Sequence, residues 1–345
     1  MIMNVHQPWP KIYRKIRRFA EPWLAHGLVP IIFFLWRKDK KTLPLVSAHW
    51  PLYLKINQRL FFIMRRFPDL RNPKSIGEKL QWLKLFDQDW LQVECADKIK
   101  VRDYISNLVG EGFTPKVLWE GKDPRDLLTL ELSAPFVVKT NHDSGSVFVV
   151  TAENSTNLTA IIRRLQKATV TAPGEWSAEP IYQLIEPRVF VEEYIPSGSS
   201  SPQPDDWKFA CVDGRVKWVQ YIRNPHAGGE ELILGRDGKK MNARLSPSFA
   251  LAREVNIPPQ WGLLIDQVET LAAGWKFVRV DTYVTKHSFY FGELTFHPRS
   301  GFYHPTGREV FGQLMNFSLE TIKDPCISSE IAKCKEKAPR KLGKR

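Results

Sequence analysis

The chain has 345 residues, of which 43% are hydrophobic and 25% charged, as in soluble globular proteins with one large or two to three smaller domains. Its four cysteines are scattered without a C-x-x-C pair, which argues against a zinc site or a disulfide framework and suits a reducing cytosol. The net charge of +13 comes from the two ends, because residues 1–41 hold nine Lys/Arg and two acids and residues 331–345 hold seven and one. A nucleic-acid enzyme usually carries its basic surface on the folded body, so this distribution argues against a nucleic-acid partner and favours an anionic membrane surface.

The N-terminal segment contains an apolar run, residues 23–36, between basic clusters at 11–18 and 37–41. A membrane-spanning helix needs about 20 apolar residues, and Gly27 and Pro30 interrupt this shorter run. We therefore predict a cytoplasmic protein with a peripheral anchor at the inner face of the cytoplasmic membrane. The alternatives are packing of the run on the body and a cleaved signal peptide, which the cations that follow the run disfavour. For the basic C-terminal run, the alternative to membrane contact is a solubilising tail.

The body alternates between helical and strand patterns. The first predicted helices cover 50–66, 75–86 and 96–109, and Ser75 begins the second with a capping-box pattern. The later predicted elements are strands at 135–139 and 147–150 around a polar loop at 140–146, a helix at 156–168, a strand at 188–191, a hairpin at 208–221, a helix at 260–274 and a final hairpin at 275–296. This mixture predicts an α+β core.

The final hairpin carries two carboxylates, Asp281 and Glu293. Folding about His287 places position 281 opposite position 293, so both side chains fall on one face within cross-strand reach. Adjacent carboxylates repel each other unless a cation lies between them, and Mg²⁺ is commonly held by one or two carboxylates together with substrate phosphates. The pattern predicts a magnesium site, with a solvated acidic pair as the alternative.

Lys139 ends the 135–139 strand directly before the glycine-containing loop. Such a loop can present backbone N–H groups to a phosphate while the lysine supplies a positive charge. The chain contains neither a P-loop nor a G-x-G-x-x-G motif, so an ordinary hairpin remains the alternative for this feature alone.

Six motifs in register extend these observations: PKSIGEK at 73–79, ADK at 96–98, PFVVKTNH at 135–142, DWKF at 206–209, VRVDTY at 278–283 and GELTFHPRSG at 292–301. Over about residues 55–318 they resemble the TupA-like branch of the ATP-grasp superfamily. The resemblance implies an α+β ATP-grasp fold, in which two α+β subdomains clasp ATP after a helical N-terminal region. It also implies ATP and Mg²⁺ as cofactors.

The resemblance divides the chain into three regions: an N-terminal arm at 1–49, an ATP-grasp domain at 50–318 and a basic tail at 319–345. Within the domain we expect a helical part at 50–134, a phosphate-loop subdomain at 135–195 and a metal and substrate subdomain at 196–318. Substrate-specificity loops are expected within 215–260, where Arg223, His226 and Arg236 lie.

The resemblance also assigns roles. Arg279 and Lys208 are implied as catalytic, the first at the reacting carboxyl and the second at the phosphates. The implied metal ligands are Asp281, Glu293 and Thr295, the last at a position where the superfamily usually has Asn. The implied nucleotide-binding residues are Arg102, Lys139, Ser144, Gly145, Ser146, Glu192, Glu193, Ile195, Asp206 and Lys208. Among these, residues 192–195 would bind adenine, largely through backbone groups, and Asp206 would lie near the ribose.

Each role has a simpler alternative. Arg102 could be a solvated helical side chain, Glu192 a charge at a strand end, and Arg279 a neutralising partner of Asp281. His142 and His297 flank the phosphate and metal motifs, yet loop histidines are more often structural.

Together these parts imply an ATP- and Mg²⁺-dependent carboxylate–amine ligase that acts through an acyl phosphate. The TupA-like branch is associated with cell-surface polysaccharide, which suggests that an amino acid is joined to a uronic-acid-containing glycan or its precursor. One alternative is a glycosyl- or phosphoryl-transferring enzyme of polysaccharide assembly. The other is a non-enzymatic, membrane-associated nucleotide-binding adaptor, which the joint presence of Lys139, Asp281 and Glu293 disfavours.

Overall fold

The computed structural model describes residues 50–64, 66–153, 157–170, 178–196, 204–224, 228–304, 306–320 and 322–323. The chain divides into two compact units, Met1–Pro68 and Asp69–Arg345. The predicted N-terminal arm and most of the basic tail lie outside the described residues, so their membrane contact stays a prediction. Among the described residues, no helix is both long enough and apolar enough to cross a bilayer.

In the first unit, the described part is helix α1 (Trp50–Met64), close to the predicted 50–66. Ile56 and Leu60 are fully buried, and their spacing of four residues places them on one face of the helix.

The second unit opens with helices. They are α2 (Ile76–Phe86), α3 (Trp90–Ala96) and α4 (Val101–Val109), and the short strand β1 (Asp87–Gln88) lies between α2 and α3. The predicted capping box at Ser75 is confirmed, because its side chain accepts from the Glu78 N–H while Glu78 reaches back to the cap.

The predicted single helix over 96–109 is wrong at its beginning. The Asp97 carboxylate accepts hydrogen bonds from the backbone N–H groups of Ile99 (2.8 Å) and Lys100 (3.4 Å). Such local side-chain bonds compete with helical ones, so the chain turns there and α4 begins only at Val101. The turn also frees the other Asp97 oxygen to accept from Asn141, 2.9 Å away in the polar loop.

A four-stranded sheet follows, in the order β2-β5-β3-β4 with antiparallel neighbours. Its strands are β2 (Val117–Gly121), β3 (Phe136–Thr140), β4 (Val147–Val150) and β5 (Val189–Glu193). Helix α5 (Leu158–Thr169) packs on it through Ile161, Ile162 and Leu165, which belong to one buried cluster with Val138 and Val191. Strands β3 to β5 and the helix agree with the predicted elements within two residues, whereas β2 was not predicted.

A six-stranded sheet, in the order β11-β10-β6-β7-β8-β9, forms the second part. Its strands are β6 (Asp206–Val212), β7 (Arg215–Arg223), β8 (Glu230–Leu234), β9 (Ala250–Leu251), β10 (Phe277–Val284) and β11 (Phe289–Thr295). Helix α6 (Trp261–Ala272) covers it with Leu264, Ile265 and Val268, and α3 contributes Val93 and Cys95 to the same core. The core therefore fixes the carboxylate hairpin β10–β11 against the helical region that precedes the first sheet.

The chain then passes through a short helical turn (Pro298–Gly301) and helix α7 (Glu309–Leu314). The last described segment, β12 (Ile322–Lys323), pairs in parallel with β1. Two sheets with associated helices, preceded by a helical region, confirm the predicted α+β class.

Candidate active site

The carboxylate pair has the predicted register, since Asp281 of β10 faces Glu293 of β11. Arg279 lies between them: its Nη2 is 2.7 Å from Asp281 Oδ2 and 3.3 Å from Glu293 Oε1. Burial works against the charge on Arg279, yet Asp281 and Glu293 raise the pKa of its guanidinium. The pair, a buried Asp281 and a half-buried Glu293, is thus held together by a positive group, as neighbouring carboxylates with little access to water require.

Lys208 approaches the pair from the other side. Strand β6 pairs with β10 so that Lys208 faces Asp281, and its Nζ lies 2.9 Å from Asp281 Oδ2 and 3.0 Å from Asp206 Oδ2. Although burial opposes it, these two carboxylates raise the pKa of Lys208, which is therefore permanently charged. Asp206, predicted near the ribose, lies here as the second partner of Lys208.

Glu293 has a different set of partners. Thr295 Oγ1 donates to Glu293 Oε1 at 2.9 Å, and Lys98 Nζ lies 3.3 Å from Oε2. Burial would raise the pKa of Glu293, but Lys98, Arg279 and Lys208 hold it well below the usual range. Glu293 is therefore ionised at neutral pH.

A second ionic cluster surrounds Glu192 at the end of β5. One oxygen of this carboxylate accepts from Lys139 Nζ, and the other is 2.5 Å from Arg102 Nη2. Burial opposes the charge on Lys139, but Tyr283 and Glu192 raise its pKa. The two predicted phosphate-binding cations, which lie 37 positions apart, therefore converge on one buried carboxylate.

The structure gives Glu192 a contact that sequence reasoning missed. Residues 192–195 were predicted to bind adenine through backbone groups, but Glu192 and Glu193 belong to β5 and the Glu192 side chain bridges two cations. The Glu193 N–H donates to the Lys116 carbonyl at 2.9 Å, and its side chain accepts from the Lys116 N–H at 2.8 Å. Ile195 follows the end of the strand, where its backbone is outside the sheet. Adenine binding by this segment stays a prediction.

Two lysines join the sheets across the site. Lys139 of the four-stranded sheet lies 5.4 Å from the ring centre of Tyr283 in the six-stranded sheet. Lys98 donates to the carbonyl of Asp143 in the polar loop at 2.6 Å while it also contacts Glu293. The polar loop, the Lys139–Arg102 cluster and the carboxylate pair therefore surround one region.

A bulge in the hairpin makes room for Tyr283. The pairing shifts after Asp281, so that Thr282 faces Phe291 and Gly292 is the extra residue. A Cβ at position 292 would lie 3.0 Å from the Tyr283 ring. Glycine at this position lets the tyrosine lie flat on the strand near Lys139.

The polar loop is held by its own Asp143. This carboxylate accepts hydrogen bonds from Thr140 Oγ1 and from Ser146 Oγ, the latter at 2.6 Å. Ser144 and Gly145 form the exposed tip, where Gly145 has a φ of 115° that side chains rarely adopt. The loop is therefore closed by its own side chains and exposes its tip to solvent.

The two histidines differ. His142 is buried, and its ring nitrogens lie 3.1 Å from Asn141 Oδ1 and 3.3 Å from the Ala168 carbonyl, so both have partners. Burial lowers the pKa of His142 and, more strongly, that of His297. His297 Nδ1 lies 4.0 Å from Glu179 and has no hydrogen-bond partner among the residues that the structure describes. Neither imidazole contacts the carboxylate pair, so the structural alternative fits His142.

The family model of TupA-like ATPgrasp proteins matches residues 78–315, more than half of the sequence. The chain belongs to the TupA-like ATP-grasp family. This match confirms the resemblance and the ATP-grasp fold. No curated protein matches the chain.

Several solved structures are similar. The ATP-grasp ligase PsnB complexed with a minimal precursor is 14% identical, with a TM-score of 0.35 over 64% of this chain and 59% of that chain. D-Alanine-D-alanine ligase from Helicobacter pylori is 12% identical, with a TM-score of 0.40 over 73% and 70%. The ADP complex of purK, N5-carboxyaminoimidazole ribonucleotide synthetase, is 14% identical, with a TM-score of 0.37 over 64% and 50%. The chain thus spans about six tenths of the PsnB structure it matches.

The residues of this TupA-like protein fit a magnesium–nucleotide complex. Asp281, Glu293 and Thr295 offer only oxygen donors, which Mg²⁺ prefers. Among the described residues, no group of three or more His, Cys, Asp or Glu side chains is arranged to hold a metal ion by itself. A pair of carboxylates suits an ion that phosphates also bind. The site has five cations and four carboxylates: Lys98, Arg102, Lys139, Lys208 and Arg279 against Asp206, Glu192, Asp281 and Glu293.

Proposed function

We propose that this chain is an ATP- and Mg²⁺-dependent carboxylate–amine ligase that acts through an acyl phosphate. The observation that carries the proposal is the convergence of the Asp281–Glu293 pair with Lys208 and the Lys139–Arg102 cluster, in a member of the TupA-like ATP-grasp family. A cluster of cations beside a pair of carboxylates that can bind a metal ion favours phosphoryl transfer, in which positioning and electrostatics supply most of the rate enhancement.

The metal would be held by Asp281, Glu293 and Thr295, and when bound it supplies positive charge to the phosphate oxygens. Lys139 and Arg102 hold phosphates from the four-stranded sheet, and Lys208 does so from the six-stranded sheet. Because Lys139 is buried, Arg102 and Lys208 are largely shielded from water, and all three already form ion pairs, little reorganisation is needed during phosphoryl transfer.

Arg279 binds the carboxylate that is to be activated. It now neutralises Asp281 and Glu293, and a cation between those residues would release some of its donors for a substrate carboxylate. A guanidinium presents its N–H groups as a planar fork that matches a carboxylate. The activated carboxyl then reacts with an amine, and the products are an amide, ADP and phosphate.

The proposed substrates are an amino acid as the amine and a uronic-acid-containing surface glycan, or its precursor, as the carboxylate. This assignment rests on the association of the TupA-like branch with cell-surface polysaccharide. A peripheral contact of the basic arm at 1–49 with an anionic membrane would keep the enzyme beside lipid-linked precursors.

The test combines product analysis with a trap. Purified protein, Mg-ATP and a panel of uronic acids and amino acids should release ADP and phosphate and yield an amide by mass spectrometry. Hydroxylamine in place of the amine should yield a hydroxamate, which reports the acyl phosphate. A phosphorylated sugar, or no ADP across the panel despite intact ATP binding, would contradict ligation.

The variant Asp281→Asn should lower ADP release about 100-fold or more, because it removes a metal-binding charge. The matched control is Asp266→Asn, on an exposed position of α6, which should retain full activity. Equal activity of the two variants would show that the carboxylate pair is not the metal site.

A further inference from the structure

A second group of arginines lies beyond Arg279, in the segment that follows β11. The cluster consists of two arginines, Arg299 and Arg308, with Tyr303 and with Ser246 from the loop after β8. We propose that it binds a second carboxylate of the substrate whose reacting carboxyl lies at Arg279. The inference rests on the proposed function and adds to it that the carboxyl substrate carries at least two carboxylates.

The turn that carries Arg299 is held in an unusual conformation. Arg299, Ser300 and Gly301 have φ values of 51°, 53° and 65°, consecutive left-handed residues that persist only where the surroundings impose them. The Ser300 carbonyl accepts from Lys84 Nζ at 2.6 Å and from Gln81 Nε2 at 2.9 Å. Helix α2 therefore fixes the position of Arg299.

The same turn is packed closely against α2. A Cβ at Gly301 would lie 2.7 Å from Gln81 Nε2, so the residue must be glycine for space as well as for its φ. Ser300 Oγ also donates to Glu179 Oε2 at 2.8 Å. Functional side chains are often held by such strained, well-supported turns.

Arg299 has neutral neighbours. Its guanidinium carbon lies 5.5 Å from the ring centre of Tyr303, and its Nη1 lies 3.4 Å from Ser246 Oγ. Arg299 is exposed, so a ligand can reach it.

Arg308 is buried, and its donors contact backbone oxygens. Its Nε donates to the Leu245 carbonyl at 2.8 Å and its Nη1 to the His304 carbonyl at 3.0 Å. Within the described parts of the chain, neither Arg299 nor Arg308 has a carboxylate within 4.0 Å. Two neighbouring guanidiniums without such a partner form a site that an anion stabilises.

Electrostatics support the same conclusion. Arg299 and Arg308 contact adjacent residues, Ser246 and Leu245, and burial followed by the charge of Arg299 lowers the pKa of Arg308. Glu231 and Glu309 act in the opposite direction without forming an ion pair with Arg308. Burial raises the pKa of Tyr303, and the charges of Arg279, Arg299 and Arg308 oppose that shift. Arg279 pairs with Thr295, only four residues before Arg299, so the segment that carries the cluster begins beside the predicted reaction centre.

Ser246 is held in place by a fully buried carboxylate. Glu231 accepts from the Ser246 N–H at 2.9 Å and from Gln220 Nε2 at 2.6 Å. The Leu245 N–H also donates to Glu231, at 3.1 Å. Glu231 therefore orders the backbone that supplies both the Ser246 hydroxyl and the Leu245 carbonyl that binds Arg308.

The chemistry of the cluster favours a carboxylate that belongs to the same molecule as the reacting group. Two guanidiniums and a hydroxyl offer several charge-assisted donors, and planar guanidiniums match carboxylates. A polyuronate, with one carboxylate on each sugar, or a dicarboxylic acid would reach both Arg279 and the cluster.

The test measures binding by calorimetry in the presence of Mg-ADP, with probes paired by their number of carboxylates. The pairs are butyrate with glutarate, and galacturonate with digalacturonate. At least one two-carboxylate probe should bind about tenfold or more tightly than its one-carboxylate partner. Arg299→Met, which keeps an unbranched side chain but removes the guanidinium, should abolish that preference without changing the affinity for Mg-ADP.

Arg163→Met, on the exposed face of α5, is the matched control and should keep the preference. Equal binding of both members of each pair to the unaltered protein would overturn the inference, and so would an unchanged preference in the Arg299→Met variant. Binding is read without turnover, so these outcomes differ from failure of the proposed function, which appears as an absence of ATP-dependent product.

Discussion

At the residue scale, the site consists of buried ionic groups that neutralise one another before any ligand binds. Glu192 bridges Arg102 and Lys139, and Arg279 bridges the carboxylate pair. Removing one partner of a buried pair leaves an uncompensated charge, at a cost of about 3–5 kcal/mol. Substitutions here therefore affect folding as well as ligand binding, and each test needs a control of matched chemistry.

Lys98 gives the sharpest residue-scale prediction. Its Nζ connects the loop carbonyl of Asp143 to Glu293, and its side chain is 12% exposed. Lys98→Met should weaken Mg-ADP binding about tenfold, because both the loop and the metal-binding carboxylate lose a charged partner. Calorimetric titration of each variant with Mg-ADP measures the change.

Lys100 supplies the control for that measurement. Its side chain is 59% exposed and lies 3.9 Å from Glu94, so Lys100→Met should change the affinity by less than about twofold. Equal losses in the two variants would mean that general charge, rather than the position of Lys98, governs nucleotide binding.

Sequence patterns could place some of these residues and not others. The pairing of Asp281 with Glu293 could be predicted from the alternation of strand residues about a short turn, because both residues lie in one hairpin. Lys98 stands inside a recognised motif, yet its contact with Glu293 spans almost 200 residues. That contact forms only when the turn between α3 and α4 meets the six-stranded sheet, so it cannot be predicted from local sequence.

At the scale of secondary-structure elements, the bulge in β10–β11 adjusts the site. Without the extra residue at Gly292, the side chains on one side of the bulge would point to the opposite face of the sheet. The bulge lets Tyr283 approach Lys139 while Asp281 and Glu293 keep their pairing. The hairpin therefore positions both the Asp281–Glu293 pair and the tyrosine that contacts Lys139.

Gly292→Ala tests this role of the bulge. The added Cβ would lie 3.0 Å from the Tyr283 ring, so the ring must move by a few tenths of an ångström and its contact with Lys139 changes. We expect a loss of about 1 kcal/mol in the free energy of unfolding and a several-fold weaker affinity for Mg-ADP. Urea denaturation and calorimetry measure the two effects.

Gly262→Ala is the matched control, because a Cβ there meets nothing within 4 Å and the residue lies in α6. It should raise the free energy of unfolding by up to about 1 kcal/mol and leave nucleotide affinity unchanged. If Gly292→Ala behaved in the same way, the bulge would have no part in the site.

Elements with one regularly buried face could be predicted from the sequence. Elements that depend on strand pairing or on a single side-chain hydrogen bond could not. The amphipathic helix α5 could be predicted because Ile161, Ile162 and Leu165 share one face. Strand β2 (Val117–Gly121) is only partly buried and owes its conformation to pairing with β5. The break at Asp97 depends on a side-chain hydrogen bond that interrupts an otherwise helical pattern.

At the scale of the whole molecule, the second unit is closed by a contact between its first and last described strands. Strand β1 follows α2 directly and pairs with β12, which lies within the predicted basic tail. Asp87 of β1 is buried there, and Gln92 Nε2 donates to its Oδ2 at 3.3 Å. A carboxylate in this position is costly when it is ionised.

Asp87 should make the stability depend on pH. Burial raises its pKa to about 6, from 3.8, although Lys276 opposes the shift. The folded state then holds the proton more tightly than the unfolded state, so stability is greatest below about pH 4, falls as the pH rises to about 6 and is constant above that. Asp87→Asn should raise the free energy of unfolding by roughly 1–3 kcal/mol at pH 7 and leave it nearly unchanged at pH 3.5.

Urea denaturation at the two pH values measures this difference, with Asp266→Asn on exposed α6 as the control. An effect of Asp87→Asn that is the same at both pH values would contradict the assignment.

The most direct test of the account is a crystal structure of the protein with Mg²⁺ and a non-hydrolysable ATP analogue. We predict an Mg²⁺ ion bound by oxygens of both Asp281 and Glu293, with phosphate oxygens on Lys139 and Lys208. A metal ion bound elsewhere, or phosphates distant from Lys139, would contradict the central claim that these two sheets form one ATP-dependent active site.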